Sequence, residues 1–380
     1  MKLYRIFENI LLSLLQWIWK SFISIHEKKN IRKKKELYSQ VVLTDEQKKQ
    51  IDSFYLENYG KKIPYKWHRL YTSYTGKFDY RYLPEYIFTT EFEAISNKRV
   101  AALAYENKNM LQTLFGNTAD NIRVPDTYVK CVNGVYFNSD NSVISKQAAA
   151  DRIVKLSSGN ETDVVGKVTV DTNSGRDVHI YRLSDGIDIE SGVSAKQIID
   201  SLGNNFVLQE RIVPHKALST LYPHSINTFR VISYFVENEI HVAPIILRIG
   251  RGGNTLDNAH AGGIFIGVND DGRLTEEAFT EYQERFKIHP DTNVVFKDYQ
   301  IPFAAELKEA AVKLHSKIPL FLLAGWDLAV DKNGNIVVIE VNLHSQGTWI
   351  AQMAPGKALF GDDTGYMLRM LRDRKKRKNA

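Results

Sequence analysis

The chain has 380 residues, of which 43% are hydrophobic, 11% aromatic and 25% charged, with a formal net charge of +6. That length and composition build a large core in two or three lobes and exclude a disordered chain. The single cysteine, Cys131, excludes an intramolecular disulfide framework and a cysteine-rich metal site, and it fits a reducing compartment.

The positive charge sits at the ends. Residues 27–36 hold six Lys/Arg against two Glu, and 369–378 hold seven against one Asp. Ahead of the first run lies the apolar stretch FENILLSLLQWIWKSFISI, with Trp17 and Trp19. A signal peptide would carry its basic residues first, so this is not one. Ser13, Gln16 and Lys20 interrupt the stretch, leaving it short of the roughly 20 apolar residues that a spanning helix needs. Two readings stay open: an interfacial helix with a basic segment on an anionic membrane surface, or a helix packed on the body of the protein or on a second subunit. On the first reading the protein is cytoplasmic and peripheral at the inner face of a membrane.

From Leu43, TDEQKKQIDSFYLENYG predicts a helix capped by Thr44 or Asp45 and stopped by Gly60. Residues 61–100 mix aromatic and basic side chains, but the balanced charge of the central region disfavours a nucleic-acid partner. DVVGKVTVDTNSGRDVHIYR reads as strand, turn, strand, with Lys167 in the first strand and Asn173, Ser174 and Gly175 in the turn. A small turn can lie over phosphates with its N–H groups aimed at them, and a lysine adds a point charge. Neither a dinucleotide fingerprint nor a P-loop is present. NFVLQERIV is then a strand ending in Gln209 and Glu210.

The second half concentrates polar residues in apolar surroundings. Asn227 and Arg230 lie on or beside one predicted strand, Arg248 sits inside another, and a glycine-rich loop leads to Asn258 and His260. An arginine among apolar neighbours usually marks a salt bridge. One facing a phosphate or carboxylate substrate is the rarer case. After the helix FAAELKEAAVKLHSKI, two strands flank an Asn-Gly turn, LAGWDLAVD-KNGN-IVVIEVN. Asp327 stands thirteen residues before Glu340, and Glu340 and Asn342 point to one face of their strand. Three oxygen ligands without sulfur suit magnesium held with phosphates. Strand-end polar groups that merely cap turns are the ordinary alternative for each residue singly.

Taken together, YGKKIPYKWHRLY, AYENKNM, VVGKVTVDTNSGRDV, VLQERI, NTFRVISY, LRIGRGGNTLDNAHAGGIF and GWDLAVDKNGNIVVIEVN resemble the ATP-grasp enzymes, in the sugar-transfer-associated branch found with polysaccharide biosynthesis, over roughly residues 60–360. The resemblance implies an α+β fold in which two lobes clasp ATP, preceded here by an N-terminal helical extension. The expected divisions are 1–40 for the amphipathic helix and basic segment, 41–145 for an N-terminal α/β region, 146–208 and 209–365 for the two lobes, and 366–380 for a basic tail. It implies that Lys167 meets the α- and β-phosphates under the 173–176 loop, with Ser174 and Gly175. Gln209 to Ile212 would be the hinge around adenine, with Glu210 its polar contact. Asp327, Glu340 and Asn342 would hold Mg2+, while Arg230 and Arg248 would face the γ-phosphate or the acyl substrate. DTNSGRDV has one glycine where many relatives have several. The implied activity is ATP-dependent joining of a carboxylate to an amine, one of them a sugar or glycan precursor, through an acyl phosphate. His260 is a candidate base for the amine proton, or a simple hydrogen-bond partner. A phosphotransferase without amide formation and a non-catalytic nucleotide-binding scaffold are the alternatives. Oligomeric state is left open.

Overall fold

The computed structural model describes residues 2–379 except 98, 170–177 and 345. A long helix, Lys2–Lys33, leads through Lys34 into a short one, Lys35–Ser39. Helix Asp45–Tyr59 begins as its sequence implies. Thr44 Oγ1 accepts from the Gln47 N–H, and Gln47 Oε1 accepts from the Thr44 N–H. Gly60 ends it at φ 87°, a backbone conformation that side-chain-bearing residues rarely adopt. The aromatic stretch that follows is core: Trp67, Tyr71, Tyr74, Tyr82, Phe88 and Phe92 are buried together with Tyr234, Ile246 and Phe265.

Two sheets carry the rest. Strand β1 (Ile122–Arg123) joins the second sheet, described below. The first sheet takes β2 (Thr127–Val132), β3 (Val135–Asn138), β4 (Val143–Ile144), β5 (Thr162–Val168), β6 (Val178–Ser184), β7 (Ile187–Asp188) and β8 (Phe206–Glu210). Among the described residues it has seven strands in the order β4-β3-β2-β8-β5-β6-β7, paired antiparallel. Helices Lys146–Leu156 and Ala195–Leu202 pack Ile153, Ile198 and Leu202 against Val129, Val164 and Phe206. The division expected at 145/146 therefore runs through a sheet, because β2 pairs with both β3 and β8.

The second sheet adds β9 (Phe229–Val236), β10 (Glu239–Val242), β11 (Ile245–Ile249), β12 (Ile264–Val268), β13 (Ala278–Phe279), β14 (Arg285–Phe286), β15 (Leu323–Val330) and β16 (Ile336–Asn342). Its order is β1-β16-β15-β9-β11-β12-β13-β14, with β10 on β9. Every residue of β15 is buried. Ala324, Trp326, Leu328 and Val330 enter the core made with Leu307, Ala311 and Leu314 of helix Ala304–Ser316. Gly325, Asp327 and Ala329 alternate onto the opposite face. That alternation places a carboxylate on the side facing the first sheet.

Candidate active site

A cavity lies between the two sheets. Val165, Lys167, Val178 and Ile180 of β5 and β6 form one wall. Ile226, Thr228, Arg248, Asp327, Ile339 and Glu340 form the other, and Glu210, Arg211 and Ile212 close the edge where the chain crosses between sheets. Ile212, Ile226 and Ile339 gather with Ala329 and Val337 in a small apolar cluster. Opposite Val165 and Ile180 they leave a slot with apolar faces and a backbone edge, the chemistry that suits a flat heterocycle.

A bulge builds the floor of this cavity. Asp327 lies opposite Glu340 and Leu328 opposite Val338, so Ile339 is the extra residue. Strict alternation would send only one of Ile339 and Glu340 inward. With the bulge both line the cavity, one continuing the apolar slot and the other presenting a carboxylate.

Both oxygens of Asp327 are engaged. Arg230 Nε donates to Oδ1 at 2.6 Å, and an Arg248 Nη lies 3.0 Å from Oδ2. Burial alone would raise this carboxyl, but the two guanidiniums outweigh it and hold it below its ordinary value. Arg248 Nε also donates to Thr228 Oγ1 at 3.0 Å and lies 3.8 Å from Asp257, whose carboxylate accepts from the Thr228 N–H at 2.6 Å. Arg230 Nη2 donates to Asp327 Oδ2 at 3.4 Å, and Nη1 donates to the Gln346 carbonyl. Arg230 does not line the cavity and Arg248 does. Asn227, at φ 55°, fixes the entry to β9 by donating to the carbonyls of Leu218 and Tyr222 at 2.9 and 2.7 Å. Its role is therefore in the backbone.

The other half of the site was not legible from the sequence. Lys108, in the turn Lys108–Met110, reaches Glu340 Oε1 at 3.1 Å across 232 residues. Asn109 beside it donates to Thr169 Oγ1 at 3.0 Å, tying that turn to the end of β5 and hence to Lys167. Burial, reinforced by Lys108 and opposed by Glu340, pulls the Lys167 ammonium down to about 8. AYENKNM belonged to the family resemblance, but only tertiary structure gives Lys108 a partner. Asp257 was likewise passed over, inside the glycine-rich loop.

Other expected residues stand elsewhere. Gln209 is buried, and its amide donates to Thr127 Oγ1 at 3.4 Å within the first sheet, so its side chain stays outside the cavity. The Glu210 carboxylate is held by Arg123 and by the Asp126 N–H at 2.8 Å. Arg123 also binds Asp331 at 2.8 Å, clipping the end of β8 to the end of β15. His260 lies away from the cavity lining, its Nδ1 2.8 Å from Glu281, which also takes Lys34 Nζ at 3.0 Å. Ser174 and Gly175, with the 173–176 turn, lie outside the described residues.

No group of three His, Cys, Asp or Glu arranged to hold a metal is found among the described residues. A site completed by ligand oxygens needs fewer protein ligands, and the residues present fit that case. Glu340 lines the cavity, and Asn342, on the same strand face, lies outside its lining; each offers a side-chain oxygen. The donors at hand are oxygens, as a hard divalent cation requires.

The sequence matches the family described as sugar-transfer associated ATP-grasp over residues 87–365. Comparison with curated proteins gives no match. Among solved structures, an L-amino acid ligase from Bacillus licheniformis is similar at 13% identity and TM-score 0.35, covering 65% of this chain and 42% of that one. A biotin carboxylase from Campylobacter jejuni shows 13% identity and TM-score 0.40, covering 70% and 46%. The VanG D-Ala:D-Ser ligase from Enterococcus faecalis shows 13% identity and TM-score 0.40, covering 73% and 63%. The match thus spans less than two thirds of each of these proteins. The family match takes in every residue that lines the cavity, from Lys108 to Glu340. This chain belongs to the sugar-transfer associated ATP-grasp family, with that family's fold of two α+β lobes.

Proposed function

We propose that the protein is an ATP-dependent, ADP-forming ligase that joins a carboxylate to an amine through an acyl phosphate, one substrate being a sugar or glycan precursor. The observation that carries the reading is one of convergence. Lys108 and Lys167 face Glu340 in one cavity, beside Arg248 and Asp327 and next to an apolar slot. Adenine fits that slot, with Val165 and Ile180 on one side and Ile226 and Ile339 on the other. The triphosphate then extends toward Lys108 and Lys167. Glu340 and Asn342, with Asp327 behind them, would hold magnesium, which when bound neutralises charge on the phosphate oxygens.

No nucleophilic side chain is needed. An oxygen of the substrate carboxylate attacks the γ-phosphorus, and the bond from that phosphorus to the ADP oxygen breaks. The amine nitrogen then attacks the acyl carbon. Arg248, which lines the cavity, would stabilise the tetrahedral oxygen anion. Phosphate leaves with the C–O electron pair and takes up the amine proton. His260 has no part in these steps. The sugar substrate rests on the family description alone. Peripheral attachment at the inner face of a membrane is a separate matter, developed below.

The test is a matrix of uronic acids and amino acids against amines and amino sugars, with magnesium and ATP. Mass spectrometry should find ADP and a product weighing acid plus amine less water. A phosphorylated acid formed equally well without amine would make the protein a phosphotransferase. ATP binding without turnover of any pair would favour a scaffold.

A further inference from the structure

The N-terminal helix carries surface that catalysis does not use. Near its C-terminal end it is tied to the body: Glu27 and Ile31 are buried, and the following Lys34 bonds Glu281 at 3.0 Å. Ahead of that anchor, Phe7, Leu11, Leu14, Ile18, Phe22 and Ile25 are 45–67% exposed. Their steps of three and four residues align them on one helix face. Leu15 and Trp19, also exposed, widen the stripe. Continuing the same steps brings Lys29, Arg32 and Lys33, all exposed. One face is thus apolar for about 27 Å and then cationic.

A second element extends this face. Arg99 stacks over the Trp19 ring at 4.4 Å. In the short helix Arg99–Tyr105, Val100 is 82% and Leu103 57% exposed. Ala101 of that helix lines a hollow with Leu320, itself 68% exposed, and with Arg374. Arg374 belongs to the C-terminal basic run. Arg374 thus lies beside the short helix whose Arg99 meets Trp19, a juxtaposition that the sequence alone does not reveal.

We infer that this composite face seats the protein on an anionic lipid surface. The apolar stripe with Trp19 matches the boundary between acyl chains and headgroups, and the lysines and arginines at its end match the phosphates. A second copy fits less well. Parallel pairing would set the exposed Lys29, Arg32 and Lys33 of the two copies side by side. Among the described residues no helix is long and apolar enough to cross a membrane. The exposed apolar residues described on this helix share one face, the pattern of a helix lying in the surface plane. The inference stands apart from the proposed chemistry, since lipid binding requires no turnover.

Flotation of the full chain with vesicles tests it, comparing phosphatidylcholine alone with phosphatidylcholine mixed with phosphatidylglycerol. Wild type should float with the anionic vesicles, about tenfold or more above the neutral ones, and release partly in high salt. Leu14→Glu with Ile18→Glu should abolish flotation. Lys29→Glu, Arg32→Glu and Lys33→Glu together should remove the preference for anionic lipid, and Val100→Glu with Leu103→Glu should weaken binding. Circular dichroism and light scattering report fold and oligomeric state for each variant. Wild type that ignores both vesicles overturns the inference, as do charge variants that float like wild type. A dimer that Leu14→Glu with Ile18→Glu dissociates, without flotation of wild type, assigns the face to a second copy and overturns it as well.

Discussion

Raising the pH from about 7 to about 9 should weaken ATP binding about tenfold, and the cause is Lys167. Lys167 lines the cavity and is half-buried. Burial, with Lys108 adding to it and Glu340 opposing, brings it to about 8 in the free protein. Phosphates beside it favour the charged form and raise it in the complex. Affinity is therefore level below that pH and falls above it, by about one decade per pH unit while the complex keeps its proton. The charged fraction of free protein drops from roughly nine-tenths at pH 7 to roughly one-tenth at pH 9, a loss of about 1.4 kcal/mol. Calorimetry in two buffers of different ionisation enthalpy should show uptake of about half a proton near pH 8. Adenosine, lacking phosphate, should bind equally across the range. Lys167→Arg keeps its charge throughout and should lose the pH dependence. Wild-type affinity that stays flat from pH 7 to 9, or the same fall in Lys167→Arg, would refute the assignment.

Three further outcomes follow from the geometry. Glu340→Gln should lower magnesium-dependent turnover about a hundredfold or more while leaving the melting temperature in place. Near-normal turnover at limiting magnesium would contradict a ligand role. Asp327→Ala leaves Arg230 and Arg248 buried without their shared carboxylate and should cost about 3–5 kcal/mol in urea unfolding. An unchanged midpoint would show that the cluster contributes nothing. Gly263→Ala would place a Cβ 2.3 Å from the Asp257 carbonyl oxygen. The displaced loop should cost about 1–3 kcal/mol of stability and weaken ATP binding with it, which melting curves and calorimetry on one preparation would measure.

What could be read from the sequence was local. The Asn-Gly hairpin was legible as apolar alternation around a short turn, a register that by itself would set Asp327 opposite Ile339. Lys167 fell in its strand for the same reason. The bulge at Ile339 left no trace in a run of Val and Ile, and it decides which residues enter the cavity. Lys108 meets Glu340 across a separation that no periodicity spans. The two arginines were weighed as salt-bridge partners or substrate contacts. Their sharing of Asp327 follows from sheet order, in which β9 lies beside β15 and β11 beside β9. Of the hinge expected at Gln209 to Ile212, Glu210, Arg211 and Ile212 line the cavity, while Gln209 faces the other side of its strand. His260 was attached to the site by its glycine-rich surroundings, and the loop carries it instead to Glu281.

The central claim is phosphoryl transfer to a substrate carboxylate, and isotope transfer tests it most directly. The carboxylate that turns over in the substrate matrix is labelled with oxygen-18 in both positions, and released phosphate is analysed by mass spectrometry. Attack of the carboxylate on the γ-phosphorus followed by amide formation carries one labelled oxygen into each phosphate and leaves one in the amide. Unlabelled phosphate released together with amide would mean that no acyl phosphate formed, and it would contradict the account.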